Sequence, residues 1–245
     1  MTAKLYAVPA SHPCAAVEVA LNMKDIPFRR TDMLPLAQVL AGPILYGGVT
    51  VPGLRIDGKR MVGSRAIMRH LDEIAPQPPL LPAEPAQRER VLEAERFGDE
   101  VLQSAVRRIL DVAFVRAPRA MESYAAQASL PIPPSAMRPL MPLTARLMAI
   151  RNSANEAAGR SDIMALPRHF ERIEQWIDAG DLGGDPPNAA DLQIGSSIRL
   201  LWTIADLRTL IEAHPRIAEL TRYFPSPQPG EIPLGTLPAQ WLPAA

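Results

Sequence analysis

The spacing of apolar residues changes its period about a third of the way along the chain. Before residue 75, short extended segments predict strands at residues 4–8 and 28–32, with a helix at residues 13–24 between them. A strand, a helix and a second strand in this order predict a βαβ unit. We therefore expect the first part of the chain to be an α/β structure.

The segment that follows is rich in proline and glycine. Residues 33–54 carry no charge, but their prolines and glycines would leave backbone groups unsatisfied in a bilayer, so we predict a loop-rich core segment and not a membrane span. An Asp-Gly pair then separates two short predicted strands at residues 53–56 and 60–62, which is a strong signal for a hairpin. Residues 64–74 predict a helix.

Prolines separate this region from a helical remainder. The ten residues at 76–85 include five prolines, through which neither a helix nor a central strand continues. Beyond them, apolar residues at spacings of three and four predict a long amphipathic helix at 87–116 and another at 161–179, with Pro167 bending its early turns. Asn188 is predicted to cap a further, largely apolar helix.

These features predict two domains. An α/β domain at residues 1–75 is followed by a proline-rich linker at 76–86 and an all-helical domain at 87–245, whose tail is expected to be irregular from about residue 225. A second proline cluster at 130–142 predicts another irregular segment. The 245 residues suffice for two modest hydrophobic cores.

Composition and charge exclude several classes of protein. Hydrophobic residues make up 47% of the chain and charged residues 21%, which is too apolar for a disordered protein. Basic and acidic residues number 26 each, so there is no net positive field to attract nucleic acid or anionic lipid. The N-terminal segment has neither the basic nor the apolar stretch of an export signal. We expect a cytoplasmic protein that binds neither nucleic acid nor membranes.

The single cysteine excludes several kinds of site. Cys14 has no second cysteine for an internal disulfide, a redox pair or a structural zinc site, and this composition fits a reducing compartment. We interpret it as a small buried residue, with a redox role as the alternative. The four histidines are scattered without the spacing of metal ligands, so we expect no metal.

Five short motifs follow one another along the chain. They are Ser-His-Pro-Cys at residues 11–14, Val-Pro-Gly-Leu at 51–54, Asp-Gly at 57–58, Gly-Ser-Arg-Ala-Ile at 63–67 and Asn-Ala-Ala-Asp at 188–191. Together they resemble the cytosolic glutathione S-transferases. The resemblance covers most of the chain, and it implies a thioredoxin-like N-terminal domain, an all-α helical-bundle C-terminal domain, and a homodimer that pairs through residues 64–74 and the long helix.

The resemblance implies a catalytic role for Ser11. Enzymes of this family present the thiol of glutathione as a thiolate, and Ser11 matches the serine of their Ser-x-x-Cys pattern. A free thiol with a pKa near 8.5 is only about 3% ionised at pH 7, and lowering its pKa by two units takes about 2.7 kcal/mol. One hydroxyl hydrogen bond to a charged sulfur supplies roughly 1.5–3 kcal/mol. The alternative is that Ser11 only caps the helix that follows.

The resemblance also implies a glutathione site. Pro52 matches a proline whose peptide bond is cis, which turns the backbone of Val51 towards an extended peptide ligand. Ser64 matches a serine that holds the γ-glutamyl carboxylate at a helix N-terminus. An ordinary proline at the start of a strand and an ordinary helix cap are the alternatives for these two residues. With the neighbouring Gly63, they are the predicted glutathione-binding positions.

Two positions depart from the family. Gly63 stands where a Glu or Gln usually contacts the ligand, and Val49 stands where a polar residue often reaches the glycine carboxylate. Each lost contact to a charged group costs about 1.5–3 kcal/mol. We therefore leave open whether glutathione or another small thiol is the natural co-substrate.

The second substrate is expected between the domains, against the long helix. Apolar electrophiles need apolar walls with few polar groups, and His12, Phe97, Val101 and Arg108 are the candidate residues. For His12, a solvated position in the first helical turn is the alternative. For the three residues of the long helix, the alternative is a place in the core of the helix bundle.

Three hypotheses about function result. The leading one is a glutathione S-transferase-like enzyme that activates glutathione, or a related small thiol, for attack on an apolar electrophile. The second is a non-catalytic ligand carrier or interaction scaffold of the same fold, which Gly63 and Val49 favour. The third, an isomerase or reductase that uses the same thiol, has no residue signature of its own.

Overall fold

A small mixed sheet forms the N-terminal part of the molecule. The computed structural model describes residues 3–226 and 229–243. The strands are β1 (Ala3–Ala7), β2 (Phe28–Asp32), β3 (Gly53–Ile56) and β4 (Lys59–Val62). They lie in the order β2-β1-β3-β4, with β1 parallel to β2 and β3 antiparallel to both of its neighbours. The predicted βαβ unit and hairpin are confirmed, and Asp57 and Gly58 take the positive φ angles, 46° and 83°, that the tight turn requires.

Three helices accompany the sheet. They are α1 (His12–Met23), α2 (Ala37–Leu45) and α3 (Ser64–Ile74). The predictions for α1 and α3 agree with these bounds, whereas α2 was missed because residues 33–54 were predicted to be loop-rich. Its large apolar side chains face solvent: Leu40 is 82% exposed and Ile44 75% exposed, so α2 shows no apolar stripe that faces the core.

The long helix of the C-terminal part is continuous but contains one irregular turn. It consists of α4 (Pro85–Phe97), a π-helical turn (Gly98–Leu102) and α5 (Gln103–Arg116). Pro85 stands in the first turn, and the Glu84 side chain accepts hydrogen bonds from two backbone N–H groups there, which fixes the start of the helix. The prediction of one long helix is confirmed, apart from the π turn.

The remaining helices surround a buried central one. They are α6 (Met121–Ala125), α7 (Met141–Arg151), α8 (Glu156–Asp178), α9 (Ala189–Trp202), α10 (Arg208–Glu212) and α11 (Pro215–Glu219). In α9 every residue from Ala189 to Leu201 is buried, and Asn188 and Asp191 form a capping box at its start, as the sequence predicts for Asn188. Within the predicted irregular segment 130–142, a 3-10 helix (Pro134–Leu140) leads into α7.

One hydrophobic core connects the sheet to the helices. It extends from Leu5 and Val17 through Leu80 to Ile194 and Phe170, and α9 packs against α1, α4 and α5. Because this core crosses the proline-rich segment, the bounds predicted for the two domains stay a prediction. Within the described ranges, no helix is both long and apolar enough to cross a membrane.

Candidate functional site

A cleft opens where β1 ends and α1 begins. It has a volume of about 210 Å³ and lies between the N-terminal turn and the helical region. Its lining includes Ser11, His12, Gln38, Thr50, Val51, Arg107, Leu110, Asp111, Phe114, Met148, Arg151 and Asn152. A second cavity of about 480 Å³ shares Pro9, Ala10, Ser11 and His12 with the cleft. The turn before α1 therefore separates two spaces, and Ser11 lines both.

Ser11 occupies the N-cap position of α1. Its backbone carbonyl accepts hydrogen bonds from the N–H groups of Cys14 at 3.1 Å and Ala15 at 3.2 Å, but its side chain makes no capping hydrogen bond. The backbone thus satisfies the helix start without the hydroxyl. The hydroxyl therefore does not cap the helix; it interacts with the buried Cys14 thiol, and Ser11 also lines the cleft.

Cys14 lies beneath Ser11 and is fully buried. Burial raises the pKa of its thiol to about 12, and the Ser11 side chain and Arg30 lower that pKa only in part. At neutral pH the residue is an inert thiol, because only the thiolate is nucleophilic. The interpretation of Cys14 as a small buried residue is confirmed by its exposure.

His12 is buried, and its imidazole has no partner. The residue is only 5% exposed, and neither ring nitrogen has a hydrogen-bond partner. Burial, with a smaller contribution from the positive charge of Arg107, lowers the pKa of His12 well below its usual value. The imidazole is therefore neutral at pH 7, with one donor and one acceptor nitrogen. The alternative of a solvated His12 is wrong, because the residue is almost completely shielded from solvent.

Val51 and Pro52 form an edge of the site. Their peptide bond is cis, as predicted, and Val51 lines the cleft whereas Pro52 is buried. The ring of Tyr46 lies so close to Gly53 that a Cβ atom at position 53 would come within 2.3 Å of it. This close approach, which requires glycine, fixes the backbone directly after Pro52.

Gly63 and Ser64 stand next to this edge at the start of α3. The Gly63 N–H donates a 2.9 Å hydrogen bond to the Pro52 carbonyl, so the start of α3 is tied to the Val51 edge. Gly63 has a φ of 91°, and a Cβ there would meet nothing within 4 Å. Ser64 is only 3% exposed and lies in the first turn of α3. Neither residue lines the cleft or the second cavity.

Arg65 joins the start of α3 to the long helix. Its guanidinium lies 3.3 Å from Glu100, 3.6 Å from Glu95 and 3.8 Å from Asp99. Glu95 is fully buried and also pairs with Arg69. This group of charges holds the N-terminus of α3, where the resemblance places the γ-glutamyl carboxylate, against α4 and the π turn.

Three of the residues predicted to contact the second substrate lie elsewhere. The Phe97 ring packs against His169 and Trp176 at centroid distances of 5.5 and 5.3 Å. Val101 is 42% exposed, and Arg108 makes two 2.7 Å hydrogen bonds to Asp162. None of the three lines the cleft. Arg108 is directed towards Asp162 of α8, so its neighbour Arg107 is the arginine of α5 that lines the cleft.

The residues of α5 that do line the cleft are Arg107, Leu110, Asp111 and Phe114. Asp111 is only 1% exposed and accepts a 2.7 Å hydrogen bond from the Asn152 side chain. Burial raises the pKa of its carboxyl to about 6, and Asn152 and Arg107 lower it only in part. Asp111 could have been singled out from the sequence, because it is a charged residue inside the apolar run Ile-Leu-Asp-Val. Nothing in the sequence indicated a role for Asn152.

Arg151 reaches the other end of the cleft from α7. Its guanidinium donates a 3.0 Å hydrogen bond to the carbonyl of Val49, and its side chain lines the cleft beside Thr50. A cation therefore lies next to the position where the chain carries valine. Within the part of the chain that the structure describes, no group of three or more His, Cys, Asp or Glu residues could hold a metal ion.

Comparison with known proteins identifies the N-terminal part. Residues 5–79 match the family described as "Glutathione S-transferase, N-terminal domain". The N-terminal part of the chain is therefore similar to the N-terminal domain of the glutathione S-transferases. The resemblance that the motifs carry is thus confirmed. No curated protein sequence matches the chain.

Solved structures extend the similarity to the helical part. The beta-etherase LigF from Sphingobium sp. strain SYK-6 is 20% identical, covers 93% of this chain and 97% of its own, and has a TM-score of 0.68. A glutathione S-transferase from Sinorhizobium meliloti 1021 is 17% identical and has a TM-score of 0.64; the alignment covers 93% of this chain and 90% of that protein. A glutathione S-transferase from Methylobacterium radiotolerans, in complex with glutathione sulfonate, is 19% identical and has a TM-score of 0.55. The alignment covers 93% of this chain and 92% of that protein.

The fold predicted for the whole chain is therefore confirmed. A thioredoxin-like sheet domain precedes a helical region, as in the glutathione S-transferases. At these identities the similarity establishes the fold, and function has to be argued from the cleft.

Proposed function

We propose that this protein is a glutathione S-transferase-like enzyme that joins a small thiol to an electrophilic carbon. The observation that carries the proposal is the Ser11 hydroxyl, which lines the cleft and makes no capping hydrogen bond. In the reaction, the thiol loses its proton to solvent, the thiolate sulfur forms a bond to carbon, and the leaving group departs with the electron pair of its bond. Glutathione, or a related small thiol, is the co-substrate.

One hydrogen bond from a hydroxyl and the N-terminus of one helix supply enough free energy to lower the pKa of a bound thiol. A hydrogen bond from Ser11 to the thiolate contributes roughly 1.5–3 kcal/mol. The Cys14 and Ala15 N–H groups already donate to Ser11 and Pro13 has none, so the first turn of α1 contributes only its helix dipole, about 0.3–1 kcal/mol of favourable potential for an anion. Together these lower the thiol pKa by about two units, which makes most of the bound thiol a thiolate at neutral pH.

Several groups are arranged to hold an extended peptide thiol. The backbone at Val51 supplies a strand edge, and we assign the γ-glutamyl carboxylate to the start of α3 at Ser64, which is tied to that edge through Gly63 but lies outside the two cavities. Arg151 provides a cation close to Val49, where the sequence lacks a polar side chain for the glycine carboxylate. The buried Gln38 also lines the cleft, and its Oε1 has no hydrogen-bond partner. This oxygen is an acceptor for an N–H group of the peptide.

The cellular compartment and the assembly are proposed from the single cysteine and from the resemblance. One buried, inert cysteine fits the reducing cytoplasm. The proposed assembly is a homodimer that pairs through α3 and the long helix, as the resemblance implies.

A ligand carrier of the same fold is the second candidate function. The open space at Gly63 favours it, because the Glu or Gln side chain usual at that position in the family has no counterpart here. A carrier binds thiols or apolar molecules in the cleft but does not lower the thiol pKa.

Steady-state kinetics distinguish the two functions. Conjugation of glutathione to an activated aryl halide is measured for the wild type, Ser11→Ala and the control Cys14→Ala. The transferase predicts saturable turnover that falls roughly ten- to hundredfold in kcat/KM for Ser11→Ala, since the lost hydrogen bond stabilises the charged sulfur. Cys14→Ala is expected to retain activity, because its thiol is buried and protonated.

Two outcomes oppose the transferase. Binding of glutathione without turnover favours the carrier. Turnover that is unchanged in Ser11→Ala contradicts the role of Ser11 and directs attention to His12, the other polar side chain at the same turn.

A further inference from the structure

The part of the cleft formed by α5 and the first turn of α1 is not the apolar wall that the sequence predicts. Its lining includes the charged Arg107 and Asp111, together with the neutral but polar His12. We propose that this wall binds an electrophile that carries a carboxylate, with Arg107 as the group that recognises the negative charge and His12 as the hydrogen-bonding residue beside it. The proposal deepens the function proposed above and rests on it for the identity of the reacting thiol.

Arg107 is the first observation. It lies on the face of α5 that lines the cleft, and no described residue accepts a hydrogen bond from it or lies within ion-pair distance. Its neighbour Arg108, by contrast, is fully engaged by two hydrogen bonds to Asp162. A half-buried guanidinium without an ion partner is costly, and it is the group that best matches a planar carboxylate through two parallel hydrogen bonds.

Asp111 does not fill this role for Arg107. It stands one helical turn further along α5, but its carboxylate receives its hydrogen bond from Asn152 at 2.7 Å and forms no ion pair with Arg107. Of the three charged residues that line the cleft as a whole, two are cationic and one is anionic, so the cleft has a net positive charge even with Asp111 ionised. Anionic ligands are favoured in such a cleft.

His12 is the second and independent observation. Its side chain lines the cleft, is only 5% exposed, and has no hydrogen-bond partner at either nitrogen. Buried polar groups are almost always hydrogen-bonded, and an orphaned one calls for a partner that the protein itself does not supply. A ligand oxygen between His12 and Arg107 satisfies both groups. Ser11 is the adjacent residue, so this ligand would lie beside the activated sulfur.

A matched pair of electrophiles tests the proposal. The probes are 4-chloro-3-nitrobenzoate and its methyl ester, which react with thiols at the same carbon and differ in charge. The readout is the ratio of their kcat/KM values, each divided by the uncatalysed rate, so a general loss of activity cancels. We expect a wild-type ratio above one, and a fall of roughly ten- to hundredfold in Arg107→Ala, the usual effect of losing a charged hydrogen-bonding partner.

Two further variants test whether a fall in the ratio is due to the charge of Arg107. Arg107→Gln keeps a long polar side chain without the charge, and the same fall in the ratio is expected. Arg146→Ala is the control: Arg146 is an exposed arginine of α7 that lines neither the cleft nor the second cavity, so its removal changes net charge but not the wall. The ratio is expected to stay at the wild-type value in this variant.

Calorimetric binding of 4-chloro-3-nitrobenzoate without any thiol separates this proposal from the proposed function. If neither probe turns over but the benzoate binds to the wild type and not to Arg107→Ala, the transferase fails and the carboxylate site stands. A wild-type ratio of one or less overturns the carboxylate site. So does a ratio that is unchanged in both Arg107 variants, and in that case a raised KM for glutathione would assign Arg107 to the thiol.

Discussion

At the scale of single residues, burial gives two neighbouring groups opposite roles. Ser11 and Cys14 lie three positions apart at the start of α1, yet Ser11 lines the cleft and Cys14 lies in the core. In the proposed function, the reacting sulfur is therefore that of the ligand and not that of Cys14.

The burial of Cys14 predicts an unreactive thiol. Because its pKa is raised to about 12 and its exposure is zero, we expect almost no modification by iodoacetamide in the folded protein at pH 8, and rapid modification in denaturant. Mass spectrometry of the protein after timed exposure to the reagent measures this. Rapid modification of the folded protein would contradict the burial of the thiol.

Asp111 predicts a pH-dependent stability. Its pKa is raised from 3.8 to about 6, so its contribution to stability is fully present below about pH 4 and is lost as the pH rises through 6. Asp111→Asn removes the ionisation, and the variant should gain stability over the wild type across this window. The expected gain is about 2–3 kcal/mol, constant at higher pH. Urea unfolding at a series of pH values tests this, and a difference that does not change with pH would contradict it.

At the scale of elements, the helices and strands with a clear local pattern of apolar and capping residues were the ones that the sequence predicted. The strand Phe28–Asp32 and the helix Ser64–Ile74 were predicted with the observed bounds, and the cap at Asn188 is present. Among the helices that were missed, α2 and α7 share one physical reason. Their large apolar residues, such as Ile44 and Ile150, are 75% and 74% exposed, so no apolar stripe distinguishes them from loops.

The capping box of α9 makes an element-scale prediction. The Asn188 side chain accepts hydrogen bonds from Ala190 N–H at 2.9 Å and Asp191 N–H at 3.1 Å, and it donates one to the Asp181 carbonyl at 2.8 Å. We expect Asn188→Ala to lower the free energy of unfolding by about 1–2 kcal/mol. Asn188→Ser keeps a capping acceptor and should lose less. Equal stability of the alanine variant and the wild type, measured by urea unfolding, would show that the box does not stabilise α9.

At the scale of the whole molecule, the cleft is assembled from distant parts of the chain. Ser11 and Val51 come from the N-terminal domain and were predicted from the resemblance. Arg107, Asp111 and Asn152 come from α5 and from the end of α7. The hydrogen bond between Asp111 and Asn152 spans 41 positions, and no local pattern predicts such a pairing. The residues proposed to bind the thiol could therefore be predicted from the sequence, whereas those proposed to bind the electrophile required the tertiary structure.

The pKa of the bound thiol tests the central claim most directly. The ultraviolet absorbance of the thiolate is followed against pH with glutathione bound to the wild type, to Ser11→Ala and to Cys14→Ala. We predict that the wild type and Cys14→Ala lower the thiol pKa by about two units relative to free glutathione, and that Ser11→Ala reverses most of this shift. A bound thiol whose pKa is the same in the wild type and in Ser11→Ala would contradict the account.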